Sequence, residues 1–493
     1  MMFRAVTAFL LAALPTASTT RASNLDVSLA TAQSFQCGET CYNNLQTTNA
    51  ADLAVVGSDF DWDFYAVADN FSTSKPGDLL KLKPVNPDIL TTISGVSVYR
   101  IQYVSEDLNG TYVPVSGYIA LPFSLPESGE FPLVAFAHGT IGEFRGCAIS
   151  NGPNLFDYSS WSLLSERGYA LVGTDYAGLG TYGTDHKYCA FPAHAKDLYH
   201  SVTAARHAFG SVLTANWMSV GHSQGGGAVW KLAEDIESIA GTHCTNEDQA
   251  SDQAQHLQQS QLVQCIDEAK YYLGTVALAP ATKIWDMVKL MASQLLSSSS
   301  NIHESSGASL LPVIDLAIKR VFPAYTSSFL GDVMKARMGL AEKAQLCASG
   351  MLGLTLDLDV RNLTSMSTTG PTAEDLHIAE QFQNTTAPAN GVAAHRPILV
   401  VQGVNDTAIL AETTEQAYES ACSDGSEVYL TFDPKQDHSG VLTAAAPDWL
   451  NWMADRFSGK PTTGKCAKQT KQAFDYEYVR AAPEVDLKTK TLN

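Results

Sequence analysis

Ser223 stands among glycines in the stretch Val220 to Trp230, VGHSQGGGAVW. Gly221-His222-Ser223-Gln224-Gly225 follows a short apolar run and precedes a helical pattern. A serine on a tight strand-to-helix turn holds its hydroxyl clear of the backbone, as a nucleophile must. Such a turn brings the residues two before and two after the serine against neighbouring backbone. Gly221 and Gly225 put no Cβ there. Gly226 and Gly227 then allow the helix to pack closely on the sheet. The helix N-terminus also points at the reacting centre, where negative charge would develop. A glycine-rich turn without chemistry is the bland alternative, since five loose positions recur by chance. The strand-before, helix-after context favours the nucleophile.

A serine hydroxyl needs a base, and the base needs an orienting acid, in the chain order serine, acid, histidine for this kind of turn. Downstream of Ser223 lie His243, His303, His377, His395 and His438. His438, in DPKQDHSGVL, follows the last predicted strand and so reaches the carboxyl edge of the sheet. The others sit in inserts or linkers and are expected to be exposed. Asp406, in VVQGVNDTAI, follows the preceding strand on the same edge. Asp433 and Asp437 are nearer to His438 in sequence but share its turn, which places them badly to orient it. Ser223, Asp406 and His438 are therefore the expected catalytic residues. The expected oxyanion donors are the backbone N–H of Gln224 and that of Thr140 in AHGTIGEF, with Gly139 as the neighbour that could replace Thr140. His138 precedes the serine and is read as structural. This chemistry needs no metal or organic cofactor, and the irregular cysteine spacings offer no zinc site.

Elements must position these groups. VSVYRIQYVS (96–105) and YVPVSGYIAL (112–121) predict strands joined by a hairpin turn at Asn109-Gly110. Apolar runs at 132–139, 169–175, 217–223, 273–280, 397–403 and 427–433 predict strands buried on both faces. Helical patterns occupy 158–167, 193–209, the stretch after Ser223, and 446–457. The fold class is α/β: a mostly parallel eight-stranded sheet with helices on both faces. Between Pro280 and Pro397 the alternation stops, and helical stripes such as Ile284, Met287, Val288, Met291 and Leu295 take over. Residues 282–395 are expected to form a helical cap, with 23–281 and 396–466 as the core and 467–493 as a tail. Trp285, Met287, Met291, Met334 and Met338 read first as core residues, and second as a deformable wall over a ligand. Residues 23 to about 90 read as a lead-in of short helices. The polar stretch 242–261 reads as a surface loop.

The chain has 493 residues, long enough for two to four domains or one large α/β domain with insertions. Its formal charge of −20 makes nucleic acid a poor partner. Arg4, the apolar run Ala5 to Leu14 and the small residues after it predict a signal peptide over 1–22, and hence secretion. Later apolar runs fall short of a bilayer span. Nine cysteines fit an oxidising compartment. Proximity suggests Cys37–Cys41 and Cys244–Cys265 pairs. Asn70, Asn109, Asn362, Asn384 and Asn405 head glycosylation sequons, and Asn405 is expected to stay unmodified because a glycan there would obstruct the site.

Six stretches carry a resemblance: AHGTIGEFRGCAIS, RGYALVGTDYAGLGT, GHSQGGGAVW, ALAPAT, PILVVQGVNDT and DHSGVL. Spread over residues 96 to 466, about three quarters of the chain, they resemble the secretory lipase family of α/β-hydrolases, fungal secreted enzymes with a helical cap. The resemblance implies an α/β-hydrolase fold, hydrolysis of carboxylic esters by a Ser-Asp-His triad, and a cap inserted before the acid strand. It also implies Cys422–Cys466 and Cys147–Cys347 disulfides, which leaves Cys189 unpaired. The expected substrate is a small-molecule or lipid ester, triacylglycerol first, met with at most transient lipid-interface contact. Alternatives are an esterase for short or secondary-metabolite esters, a serine peptidase, and a non-catalytic binding protein on the same scaffold. The Gln-rich insert, Cys37, Cys41, Cys189 and the tail from Ala467 depart from the family pattern and leave substrate range and oligomeric state open.

Overall fold

Alternating burial along the strands builds two cores, one on each face of a single sheet. Leu133, Ala135 and Val400 point into one core, while Val134, Phe136, Leu399 and Val401 point into the other. The first core is closed by the helices Phe191–Phe209 and Gln224–His243, through residues such as Leu198, Val202 and Val229. The second is closed by Tyr158–Glu166 and Ala446–Phe457, through Trp161, Leu164, Trp449 and Met453. The computed structural model describes residues 21–156, 158–243, 267–297, 310–366 and 368–480.

Among the described residues the sheet has ten strands, not the expected eight: β1 (Leu79–Pro84), β2 (Val96–Glu106), β3 (Tyr112–Pro122), β4 (Phe131–Ala137), β5 (Ala170–Thr174), β6 (Leu213–His222), β7 (Tyr272–Leu278), β8 (Ile398–Gly403), β9 (Val428–Asp433) and β10 (Ala467–Thr470). Their order is β1-β2-β3-β5-β4-β6-β7-β8-β9-β10. β1, β2, β3 and β5 pair antiparallel in sequence across the sheet, and from β5 to β10 every pairing is parallel. The eight inner strands are those the sequence predicted. The two additions are its edges. No residue of either edge strand is fully buried, so neither carries the apolar alternation that marks an inner strand. The Cys422–Cys466 disulfide ends one residue before β10 and brings it beside β9.

Between β7 and β8 the described residues form helices and no strand: Ile284–Ser297, Leu311–Val321, Asp332–Ala344, Ala348–Gly353, Val360–Leu363 and Ala373–Thr386. Ile284, Trp285, Met287, Val288, Met291 and Met334 are buried, so the core reading holds for them. Met338 is half-buried and lines a cavity of about 790 Å³. The lead-in is more regular than expected. Its long helix Glu39–Val56 lays Asp52 against Ala348–Gly353, where the carboxylate accepts from Ser349 N (3.0 Å) and Gly350 N (2.7 Å).

Cys37–Cys41, Cys147–Cys347 and Cys422–Cys466 are disulfides, and Cys189 is a buried free thiol. The Cys244–Cys265 pair, the polar stretch from Cys244 onward and the leader up to residue 20 lie outside the described residues. No helix among the described residues is long and apolar enough to cross a membrane.

Candidate active site

β6 sits in the middle of the parallel block, between β4 and β7, and ends at His222. The helix Gln224–His243 starts two residues later, so Ser223 alone makes the turn. Its φ is +58°, a conformation that costs a non-glycine residue roughly 1–3 kcal/mol. The surroundings hold it there: Ser223 N donates to Leu278 O (2.9 Å), and Ser223 O accepts from Ala281 N (2.9 Å). The glycines are needed for contact, as the sequence implied. A Cβ on Gly221 would lie 2.1 Å from Gly225 O, and one on Gly225 would lie 1.9 Å from Ala137 O. On Gly226 it would meet Pro280 Cα at 2.7 Å, and on Gly227 it would meet Ala281 O at 2.0 Å.

These are backbone clashes, which no rotamer change relieves. Gly225→Ala is therefore expected to destabilise the fold by about 3 kcal/mol or more and to push the Ala137–Thr140 segment away from Ser223. Urea unfolding of the purified variant measures this, and a loss under about 1 kcal/mol would contradict the close approach.

Asp406 lies in the turn after β8 with its side chain fully buried. Its Oδ1 accepts from Ala408 N (2.9 Å) and Ile409 N (2.8 Å). Its Oδ2 accepts from Gln402 Nε2 (3.0 Å) and from His438 Nδ1 (2.8 Å). His438, after β9, is also held through its backbone. His222 Nε2 donates to His438 O (3.1 Å), and the two rings lie 4.6 Å apart. The residue next to Ser223 thus carries the His438 loop. No hydrogen bond joins the Ser223 hydroxyl to His438 among the described residues. Such bonds are often long in free enzymes and tighten when substrate binds.

Neither rival carboxylate is hydrogen-bonded to the His438 ring among the described residues. Asp437 Oδ1 accepts from Ser439 N (3.2 Å) and Gly440 N (2.7 Å), capping the short helix that follows. Burial, with Asp448 nearby, raises the Asp433 carboxyl to about 6, and its Oδ2 has no hydrogen-bond partner. His377 and His395 are exposed, as expected, while His303 and the His243 side chain fall outside the described residues.

The N–H of Gln224 opens its helix and has no acceptor within it. Thr140 follows β4, and its hydroxyl is 2.8 Å from the Tyr188 hydroxyl. His138 is fully buried, with Nδ1 2.6 Å from Gly139 O and Nε2 3.3 Å from Asp175 O, in keeping with a structural role.

Three residues around the site escaped the sequence reading. His186 and His194 lie under Gln224, upstream of Ser223, where the serine-acid-histidine order gave no reason to look. Arg320 lies in the expected cap, yet its Nη1 donates to Glu143 O and His186 O (2.8 Å each), on the loops beside Thr140 and Gln224. Sequence offers no signal for such long-range contacts. The 790 Å³ cavity lies between this arginine's helix and Glu143, Phe144 and Arg145. Neither Ser223, Asp406 nor His438 lines it. Among the described residues no cluster of three or more His, Cys, Asp or Glu is placed to hold a metal ion.

The architecture is that of the α/β-hydrolases. The esterase LipA of Xanthomonas oryzae, described as rice cell wall degrading, superposes over 79% of this chain and 100% of its own with a TM-score of 0.58. At 18% identity this likeness establishes the fold alone. The family model described as Secretory lipase matches residues 303–465, in agreement with the resemblance read from the motifs. That span includes Asp406 and His438, and Ser223 lies upstream of it. Two sequence relatives match over short stretches. A "Probable inactive lipase" of Mycobacterium tuberculosis is 32% identical over 74 residues, 15% of this chain. A "Secreted triacylglycerol lipase" of Malassezia globosa is 34% identical over 73 residues, 14% of this chain. The matches span only 17% and 16% of those two relatives' own lengths.

Proposed function

We propose that this protein is a secreted serine hydrolase of carboxylic esters, with triacylglycerol as its substrate class. The observation that carries the reading is the Asp406–His438 hydrogen bond of 2.8 Å, delivered to a loop that His222 pins beside Ser223. In this reading Ser223 Oγ attacks the ester carbonyl while His438 Nε2 takes its proton. The N–H groups of Gln224 and Thr140 receive the oxyanion. His438 then gives the proton to the departing alkoxide, leaving the acyl group on Ser223. Water, deprotonated by His438, attacks the acyl-enzyme and releases the acid. Asp406 holds Nδ1 and stabilises the imidazolium formed in both halves.

Secretion rests on the leader composition at 1–22 and on the family's description. The segment 282–395 serves in this reading as the helical cap that shapes the acyl site. Arg320 and the Cys147–Cys347 disulfide support it by tying that segment to the loop after β4. Fluorophosphonate labelling tests the chemistry. The purified chain is expected to be labelled at Ser223 alone, and an unlabelled, folded chain would favour a binding protein. A nitrophenyl ester series of increasing acyl length then tests the substrate. Activity that peaks at long chains supports the lipase, and activity confined to the shortest ones overturns it for an esterase.

A further inference from the structure

Gln224 is 1% exposed, and its side-chain nitrogen lies 3.2 Å from His186 Nε2 and 3.2 Å from His194 Nε2. Both histidines are buried, at 0% and 2% exposure, with rings parallel within 5° and centroids 5.3 Å apart. The tautomer follows from His186 Nδ1, which lies 3.0 Å from Ala177 O. A carbonyl only accepts, so Nδ1 carries the proton and Nε2 is an acceptor. The Gln224 amide therefore donates one hydrogen to each ring. Burial agrees with neutral rings: it pushes His186 down to about 3 and His194 well below its ordinary value.

The same stack reaches the other side of the turn. Tyr176, itself at φ +67°, lies on His194 with centroids 4.4 Å apart, and its hydroxyl donates to His138 O (2.9 Å). His138 opens the segment that leads to Thr140. Burying three polar side chains costs desolvation that their hydrogen bonds to one another and to Ala177 O offset, whereas apolar residues would fill the space without that cost. What the polar arrangement adds is direction: it fixes which way Gln224 and the His138 carbonyl face.

We propose that His186 and His194 are positioning residues for the oxyanion site, locking Gln224 through both of its amide hydrogens and, through Tyr176, the backbone entering Thr140. The inference rests on the proposed role of the Gln224 and Thr140 N–H groups. Donors aimed before the reaction stabilise the transition state more than the bound ester. Loosening them therefore lowers kcat and spares KM.

Gln224→Met and His194→Leu remove the hydrogen bonds at similar volume, while His194→Gln keeps an acceptor within reach. Turnover is measured on a soluble nitrophenyl ester and divided by the sites titrated with fluorophosphonate, so that misfolded protein does not count. Affinity for an alkyl boronic acid, whose serine adduct places a charged oxygen among the donors, is measured alongside. Gln224→Met and His194→Leu are expected to lose about 10- to 100-fold in kcat per titrated site, with KM within about twofold, and to lose boronate affinity in parallel. His194→Gln is expected to recover most of both. A residue that only supports the fold would lower the titratable fraction or the Tm and leave kcat per site unchanged. Gln224→Met and His194→Gln remain readable if His194→Leu does not fold. Folded Gln224→Met with wild-type kcat and boronate affinity would overturn the inference while the hydrolase reading stands. A folded wild-type chain that is neither labelled nor active would instead remove the hydrolase reading itself.

Discussion

Ser223→Ala is expected to lower turnover of any ester by a factor on the order of 10⁶ while leaving the fold intact. The size follows from the unity of the proposed site: without Oγ, His438, oriented by Asp406, has no hydroxyl proton to take. The residual rate would come from substrate binding and the oxyanion donors alone. The intact fold follows from the backbone. Serine and alanine carry the same Cβ, so the strain at φ +58° is unchanged, and the hydrogen bonds to Leu278 O and from Ala281 N involve main-chain atoms only. The variant should therefore unfold at the wild-type urea concentration while losing both turnover and fluorophosphonate labelling. A folded Ser223→Ala that still hydrolyses nitrophenyl esters would assign the chemistry to another residue.

Asp406→Asn is expected to cost about 10⁴-fold in kcat. The local hydrogen bonds supply the reason. The N–H groups of Ala408 and Ile409 demand an oxygen at the Oδ1 position. The new amide nitrogen is then turned toward Gln402 Nε2 and His438 Nδ1, both of which donate to Asp406 in the native arrangement. To avoid meeting a donor with a donor, His438 must give up its Nδ1 proton and carry one on Nε2. That tautomer cannot accept the serine proton. Asp437→Ala is the control, because its carboxylate caps Ser439 and Gly440 instead of facing the ring. Loss of a cap costs about 1 kcal/mol of stability, and activity should fall less than about tenfold. Alanine is needed at 437 because asparagine there would create a sequon with Ser439, whereas Asp406→Asn adds none. Kinetics of both purified variants on one soluble ester decide the matter. A dead Asp437→Ala beside an active Asp406→Asn would exchange the two roles.

Asp406 also marks how far local reading reaches. The sequence favours it over Asp437 although it lies 32 residues from His438, because each predicted strand of a parallel block delivers the residue after it to the same edge. The inner strands were legible for a related reason. Strands buried on both faces, such as β5 and β8, are apolar over most of their length, and that stands out against polar loops. β1 and β10 did not stand out, since edge strands are held by backbone pairing that makes little demand on side chains.

The sequence by itself determined the strand-and-helix alternation, the need for glycine on both sides of Ser223, and the order of the three candidate catalytic residues. Each depends on short-range physics: side-chain period, Cβ volume at one turn, and chain direction. Tertiary structure alone decided the strand order, the Arg320 contacts with Glu143 and His186, and the pairing of Gln224 with His186 and His194. Those partners lie 38 and 30 residues from Gln224, and 177 residues separate Arg320 from Glu143. A buried polar group needs a partner, but its own sequence neighbourhood does not say which; only the packed chain brings donor and acceptor within reach.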